Sequence, residues 1–546
     1  MEHFINQVNK VIVEHWDERA LSDLRKERFT HAQVGSRIIR EQLIYSAIGV
    51  GKGDKIALCG KNSARWATAF LAATTYHAVA VPILYDFTPE NVCDLAAHSD
   101  ARIVYTEAKI FEKWDLGKLP QMLACVSLDD FSLIWARTEE IKAAYDNIEK
   151  VIGEKYPEGI KASDFHVEGL DMDELSVINY TSGTTGTPKG IMLTARSISA
   201  NNDYAQRTLP IPAGSACVSM LPMAHMYGLA FEFLYKFCDN CEVYFLGKTP
   251  SPSVLMAAFA ELHPWQIITV PLVIEKIIKG KVLPILEKPV MKVLTSIPGI
   301  RQILNKVILK KVMGAFGGNC YEIILGGAAV SAPIEKVLRE LKFPYTVGYG
   351  MTECGPLVAY EHHEQFAPGS CGKVVDCAQI RVADANPETG IGELQVKGEN
   401  VMVGYYKNPE ATAAAFTEDG WLRTGDLGII DAEGNIFIKG RSKCMILSAS
   451  GQNVYPEEIE AILNNLPYIS ESLVLARDKN IIGIVTLNAA GEEAIKGGKS
   501  VDDILLETTK ALNAVLPNYS QVNKLELLQG EFVHTPKMSI KRSLYK

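Results

Sequence analysis

From Tyr180 to Gly190 the chain reads Tyr-Thr-Ser-Gly-Thr-Thr-Gly-Thr-Pro-Lys-Gly, one residue after the apolar stretch Leu175–Ile178. A short apolar run stopped by glycines predicts a strand entering a tight loop. Glycines such as Gly183 let backbone N–H groups close on phosphate oxygens, while Thr181, Ser182, Thr184 and Thr185 add hydroxyl donors and Lys189 adds a cation. The expected partner is a nucleotide polyphosphate at a strand end. This is not the phosphate loop of kinases and ATPases, which needs Gly-Lys-Ser/Thr at the start of a helix. Here Pro188 precedes the lysine and Gly190 follows it.

The rest of the chain supplies the sheet. Short apolar runs at Lys55–Leu58, Val79–Ile83 and Ala101–Tyr105 alternate with helical stretches, which predicts an α/β fold of sheets covered by helices. At 546 residues at least two domains are expected. Asp431-Ala432-Glu433-Gly434 separates two apolar runs and reads as a hairpin turn. A boundary just after it divides residues 1–440, a large domain of mixed sheets, from 441–546, a small α+β domain. Phe4, Ile5, Val8, Val11 and Ile12 recur at helical spacing, and Ile277–Lys311, rich in Lys and Ile, reads as an inserted helical hairpin.

A net charge of -9 argues against nucleic acid as a partner. The eleven cysteines lack framework spacing and read as reduced thiols of a cytoplasmic protein. The amino-terminal stretch carries no apolar core of signal-peptide length, and no transmembrane segment is expected; peripheral membrane contact stays open.

Four further segments carry chemistry. Gly326-Gly327-Ala328 follows an apolar strand, Tyr321–Leu325, where a backbone can approach a ligand, although glycine pairs often serve only a turn. Gly348-Tyr349-Gly350-Met351-Thr352-Glu353 brings together a ring, a hydroxyl and a carboxylate, enough to stack a base, bond a phosphate and hold a hard cation. Alone it reads equally as a core tyrosine and a helix cap. Asp426 stands before the predicted hairpin and Arg441 after it, a carboxylate for two ribose hydroxyls and a fork of donors. His225 sits in an apolar segment, where a core role and a site role weigh equally.

Taken together and in this order, these segments resemble the adenylate-forming (AMP-binding) enzymes, and within them the acyl-CoA synthetases. Ser450–Glu458 is similar to the long-chain fatty acid–CoA ligases. The resemblance covers nearly the whole chain. It implies ATP, Mg2+ and coenzyme A, with a medium- or long-chain fatty acid as the carboxylic acid and an acyl carrier protein as the alternative acceptor. It implies Gly327 and Ala328 along the adenine, Tyr349 against it, Gly350 and Met351 beside the nucleotide, Thr352 at the α-phosphate, Glu353 on Mg2+, and Asp426 with Arg441 on the ribose. His225 would border the carboxylate, with Met226–Phe231 as pocket wall, and the small domain would turn about Lys443. The terminal segment departs from the pattern: Ser539 stands where the catalytic lysine is expected, leaving Lys537 and Lys541 as candidates.

Overall fold

The computed structural model describes residues 1–181, 188–248, 250–286, 298–447, 453–477, 480–534 and 540–545. Its central feature is an eight-stranded sheet, in the order Gly404–Tyr405, Lys189–Thr194, Leu175–Thr181, Val79–Ile83, Lys55–Cys59, Ala101–Thr106, Ala124–Ser127, Leu133–Ala136. The inner strands are parallel, and Leu175–Thr181 runs parallel to Val79–Ile83. Lys189–Thr194 returns antiparallel to it, in a register that sets Thr181 opposite Lys189. The Val79–Ile83 strand is buried along its length, as expected for a strand covered on both faces.

Two smaller sheets bring the remaining segments to the same region. Gln266–Thr269, Glu322–Leu325 and Tyr345–Val347 form a parallel three-stranded sheet. Ala378–Ala383, Gly392–Gly398, Leu422–Ile430 and Ile436–Arg441 form an antiparallel one. The last two strands are the hairpin expected around Asp431–Gly434, longer than its apolar runs alone suggested.

The helix Phe4–Glu14 buries Phe4, Ile5, Val8, Val11 and Ile12. It docks on its own chain, the Phe4 N–H donating to Ser199 Oγ at 2.9 Å. In the Ile277–Lys311 region, helices Pro271–Lys281 and Pro298–Ala315 flank residues that lie outside those described. From Ile446 onward the chain builds a separate apolar core, in which Val454, Ile459, Leu463, Val474, Val485 and Leu512 pack together. Helices Pro456–Leu463 and Val501–Asn513 cover the sheet Ile469–Arg477, Asn480–Leu487, Lys524–Leu527. The architecture is thus mixed α/β with a small α+β unit at the carboxyl end. All eleven cysteines are free, and among the described residues no helix is long and apolar enough to cross a membrane.

Candidate functional site

Three of the segments, after Thr181, Leu325 and Val347, leave the carboxyl ends of parallel strands, where an α/β sheet exposes unpaired backbone to a ligand. Leu175–Thr181 delivers the chain into residues 182–187, so Ser182, Gly183, Thr184 and Thr185 lie outside the described residues. Below that point Tyr180 is buried, and its phenol meets His98 Nδ1 at 2.6 Å. Burial, then the nearby Lys407 charge, push the His98 pKa down, which favours a neutral ring that accepts the phenol proton. The strand's exit is thereby pinned from beneath.

Lys189 begins the return strand, and its Nζ lies 4.7 Å from the centre of the Tyr405 ring. The Tyr405 hydroxyl donates to Glu353 Oε1 at 3.1 Å. A cation, a ring and a carboxylate thus form one chain of contacts, drawn from strands Lys189–Thr194 and Gly404–Tyr405 and from the short 3-10 turn Thr352–Cys354. Burial and the Glu353 charge raise the Tyr405 pKa, so it stays a donor. Tyr405 carried no signal in the sequence. Asn201 is a second residue missed there: its amide donates to Cys354 O at 3.1 Å and accepts from the Leu357 N–H at 2.9 Å, fixing the loop that presents Thr352 and Glu353.

Gly326-Gly327-Ala328 and Gly348-Tyr349-Gly350 follow neighbouring strands of the three-stranded sheet, and the Gly348 N–H donates to Leu325 O at 2.8 Å. Gly327 has φ +83°, a left-handed conformation open to glycine at little cost, and it is exposed with Ala328 as an approach surface requires. Gly350 is required for space: a Cβ there would lie 2.3 Å from Pro356 O. Met351 leads into the turn in extended conformation, and Thr352 is buried within it.

Hairpin register places Asp426 directly opposite Arg441. Arg441 Nε donates to Asp426 Oδ1 at 2.9 Å, and the Tyr349 hydroxyl donates to Oδ2 at 2.7 Å. Burial and the Asp426 charge hold the Tyr349 pKa well above its ordinary value, so the phenol keeps its proton. The structure therefore joins Tyr349, Asp426 and Arg441 into one hydrogen-bonded unit.

His225 lies on a segment clamped to strand Leu175–Thr181 by Asn179, whose amide donates to Ala224 O at 2.8 Å. Tyr227 continues toward Gly326, which a Cβ would bring to 2.8 Å of its ring. Gly228–Leu234 then winds as a π-helix with every residue buried. Such wide turns recur at functional sites because they re-aim side chains.

At the carboxyl end the placement differs. Lys537 falls outside the described residues; Lys541 is exposed, its backbone N–H donating to Val533 O at 2.8 Å. Among the described residues no hydrogen bond or ion pair is found between Lys541 and Glu353 or Lys189. Lys443 is exposed in a turn two residues beyond Arg441.

Residues 9–406 match the model of the AMP-binding enzyme family, and residues 444–546 match that of the AMP-binding enzyme C-terminal domain. The chain belongs to the AMP-binding enzyme family. It is 27% identical over 561 residues to a long-chain-fatty-acid–CoA ligase, FadD15, of Mycobacterium bovis, spanning 94% of this chain and 90% of the relative. It is also 27% identical over 520 residues to 4-coumarate–CoA ligase 3 of Oryza sativa subsp. japonica, spanning 91% and 83%. Among solved structures, the o-succinylbenzoate CoA synthetase (MenE) of Bacillus subtilis in complex with its acyl-adenylate intermediate superposes with a TM-score of 0.75. That superposition covers 100% of this chain and 98% of the other at 22% identity, a likeness of fold.

Proposed function

We propose that this protein joins a carboxylic acid to ATP, giving an acyl-adenylate and pyrophosphate, and then passes the acyl group to the thiol of coenzyme A. The observation that carries the reading is that the Tyr349–Asp426–Arg441 unit and the Lys189–Tyr405–Glu353 chain share the segment Tyr349–Glu353, with the Glu353 charge within electrostatic reach of Arg441. The first offers a ring for adenine and a carboxylate for ribose; the second offers a cation and an anion where a polyphosphate would lie. A carboxylate attacking a phosphate brings two anions together, so aimed donors and cations are what the step needs. Glu353 suits Mg2+, because its carboxylate is only partly buried and one of its oxygens takes a single tyrosine proton. When bound, such an ion would neutralise phosphate charge.

Within this reading Thr181, Ser182, Gly183, Thr184 and Thr185 hold the β- and γ-phosphates with Lys189, Thr352 bonds the α-phosphate, and Gly327, Ala328, Gly350 and Met351 frame the base. His225 borders the acid. The small domain turns about Lys443 between the two half-reactions, with Lys537 or Lys541 supplying its cation. A medium- or long-chain fatty acid is the proposed substrate, supported by Ser450–Glu458 and by the long-chain ligase relative, although another relative acts on 4-coumarate. The test is exchange of labelled pyrophosphate into ATP over acids of graded chain length and aryl acids, followed by coenzyme A or holo-acyl carrier protein as acceptor. Exchange without any acid, or with none of the panel, would sink the proposal; exchange with aryl acids alone would sink the fatty-acid assignment.

A further inference from the structure

The stretch after strand Leu357–Tyr360 takes no part in the nucleotide site. It folds against the amino-terminal end of strand Glu322–Leu325, opposite the end that carries Gly326. Glu322, the first residue of that strand, is only 1% exposed. Its Oε2 accepts the Tyr360 hydroxyl at 2.8 Å, and its Oε1 accepts the His363 backbone N–H at 2.9 Å. Two imidazoles face the same Oε1, His363 Nδ1 at 3.3 Å and His362 Nε2 at 3.9 Å.

One atom each from Glu322, His362 and His363 lies within 4.8 Å of the other two. A tetrahedral ion with bonds of about 2.1 Å needs its ligand atoms about 3.4 Å apart, so small rotations of two rings complete the geometry. The rings are held for it. They lie 4.3 Å apart, each within 5.5 Å of the Tyr321 ring, which stacks at 5.1 Å on Trp265. A further observation points the same way: His362 Nε2 is buried and makes no hydrogen bond among the described residues. Leaving such an atom unmet costs about 1–3 kcal/mol, which ligation to a cation would relieve.

We propose that Glu322, His362 and His363 form a binding site for a first-row divalent cation of the zinc class, separate from the nucleotide. Two imidazole nitrogens and one carboxylate oxygen suit zinc and its neighbours; Mg2+ and Ca2+ require all-oxygen shells. His363 ligates through Nδ1 and keeps its proton on Nε2. His362 ligates through Nε2, which moves its proton to Nδ1, 4.0 Å from the Glu364 carboxylate. In the present arrangement that Nδ1 accepts a hydrogen bond of 3.4 Å from the Glu364 N–H, which ligation would exchange for the carboxylate. Tyr360 on Oε2 is the outer contact that orients the carboxylate.

The experiment is a titration of metal-free full-length protein with Co2+ in the absence of nucleotide, read by visible absorption, with Zn2+ and Mg2+ as competitors. The expected result is one equivalent bound, with ligand-field bands of nitrogen–oxygen coordination, displaced by Zn2+ and indifferent to Mg2+. His362→Ala and His363→Ala, shown to be folded by thermal melting, should each weaken binding at least tenfold. If either variant fails to fold, the wild-type spectrum still decides. No binding by folded wild type, thiolate charge-transfer bands that place the ion on cysteines, or unchanged affinity in folded variants would each overturn the site. None of these outcomes bears on acid activation.

Discussion

Asp426→Asn isolates the charge of the proposed ribose contact from its shape. In the free protein the substitution keeps an oxygen for Arg441 Nε and presents an amide toward the Tyr349 hydroxyl, which can accept from it. Arg441 is 56% exposed, so the lost ion pair should cost only about 1 kcal/mol of stability. Binding should suffer more. Hydrogen bonds to a charged acceptor contribute about 1.5–3 kcal/mol and neutral ones about 0.5–1.5, so two ribose hydroxyls lose about 2–3 kcal/mol together. That is a weakening of about 30- to 140-fold. Pyrophosphate exchange with ATP, the two monodeoxy analogues and 2′,3′-dideoxy-ATP reads this directly. Wild type should prefer ATP over the dideoxy analogue by a wide margin, and the variant should lose most of that preference while melting within a few degrees of wild type. If the variant discriminates as wild type does, Asp426 does not hold the ribose and the site has been assembled around the wrong carboxylate.

Glu353→Gln should slow adenylate formation by a factor on the order of 10²–10³, the usual loss on removing one electrostatic element, while Tyr405→Phe should slow it far less; single-turnover pyrophosphate release separates them. Lys443→Pro should leave the exchange reaction near wild type and slow thioester formation, and equal rates for both steps would remove the proposed turn about this residue. Of Lys537→Ala and Lys541→Ala, one should slow exchange strongly if the small domain supplies a cation to the first step. His31 is fully buried, with Nε2 3.3 Å from Asn240 Oδ1, and burial lowers its pKa to about 4. Its unfolded pKa is near 6.5, so the unfolded chain binds the extra proton between pH 6.5 and 4; stability should be full above that window and fall by about 3 kcal/mol across it as pH drops. Denaturant melts of His31→Gln should show a correspondingly flatter acid limb.

How much of this was legible in the sequence depended on whether the signal was local. The strand Val79–Ile83 was visible because a buried parallel strand is a continuous apolar run with turn residues at its ends, and of Leu175–Thr181 only the Leu175–Ile178 part was. Asp426 and Arg441 could be paired because a hairpin turn between them sets the register. Tyr405 could not be found that way. Its contact with Glu353 exists because the two-residue strand Gly404–Tyr405 joins the edge of the large sheet beside Lys189–Thr194, and nothing near Tyr405 in sequence encodes that edge. The same holds for Glu322, His362 and His363, which only the return of the chain after Tyr360 brings together. The proposed acid pocket lies at the far end of this scale: a wall from Met226 to Phe231 would depend on packing from several elements, as the buried π-helix Gly228–Leu234 and the Tyr227 ring against Gly326 illustrate.

The position of the proposed ribose clamp, Asp426 with Arg441, bears on the proposed two-step reaction. A carboxylate has about four acceptor positions, and Tyr349 and Arg441 occupy one on each Asp426 oxygen, so two remain for ribose hydroxyls without breaking either contact. Arg441 is bonded to the large domain by Asp426 and by its strand register, yet it precedes Lys443 by only two residues. A turn beginning at Lys443 would therefore leave Arg441 and the nucleotide in place while everything beyond it moves. A turn beginning before Arg441 would have to break the ion pair and loosen the adenylate between its formation and its use. On this reading the hinge lies after the arginine because the reactive intermediate must stay gripped while the small domain exchanges one face for another.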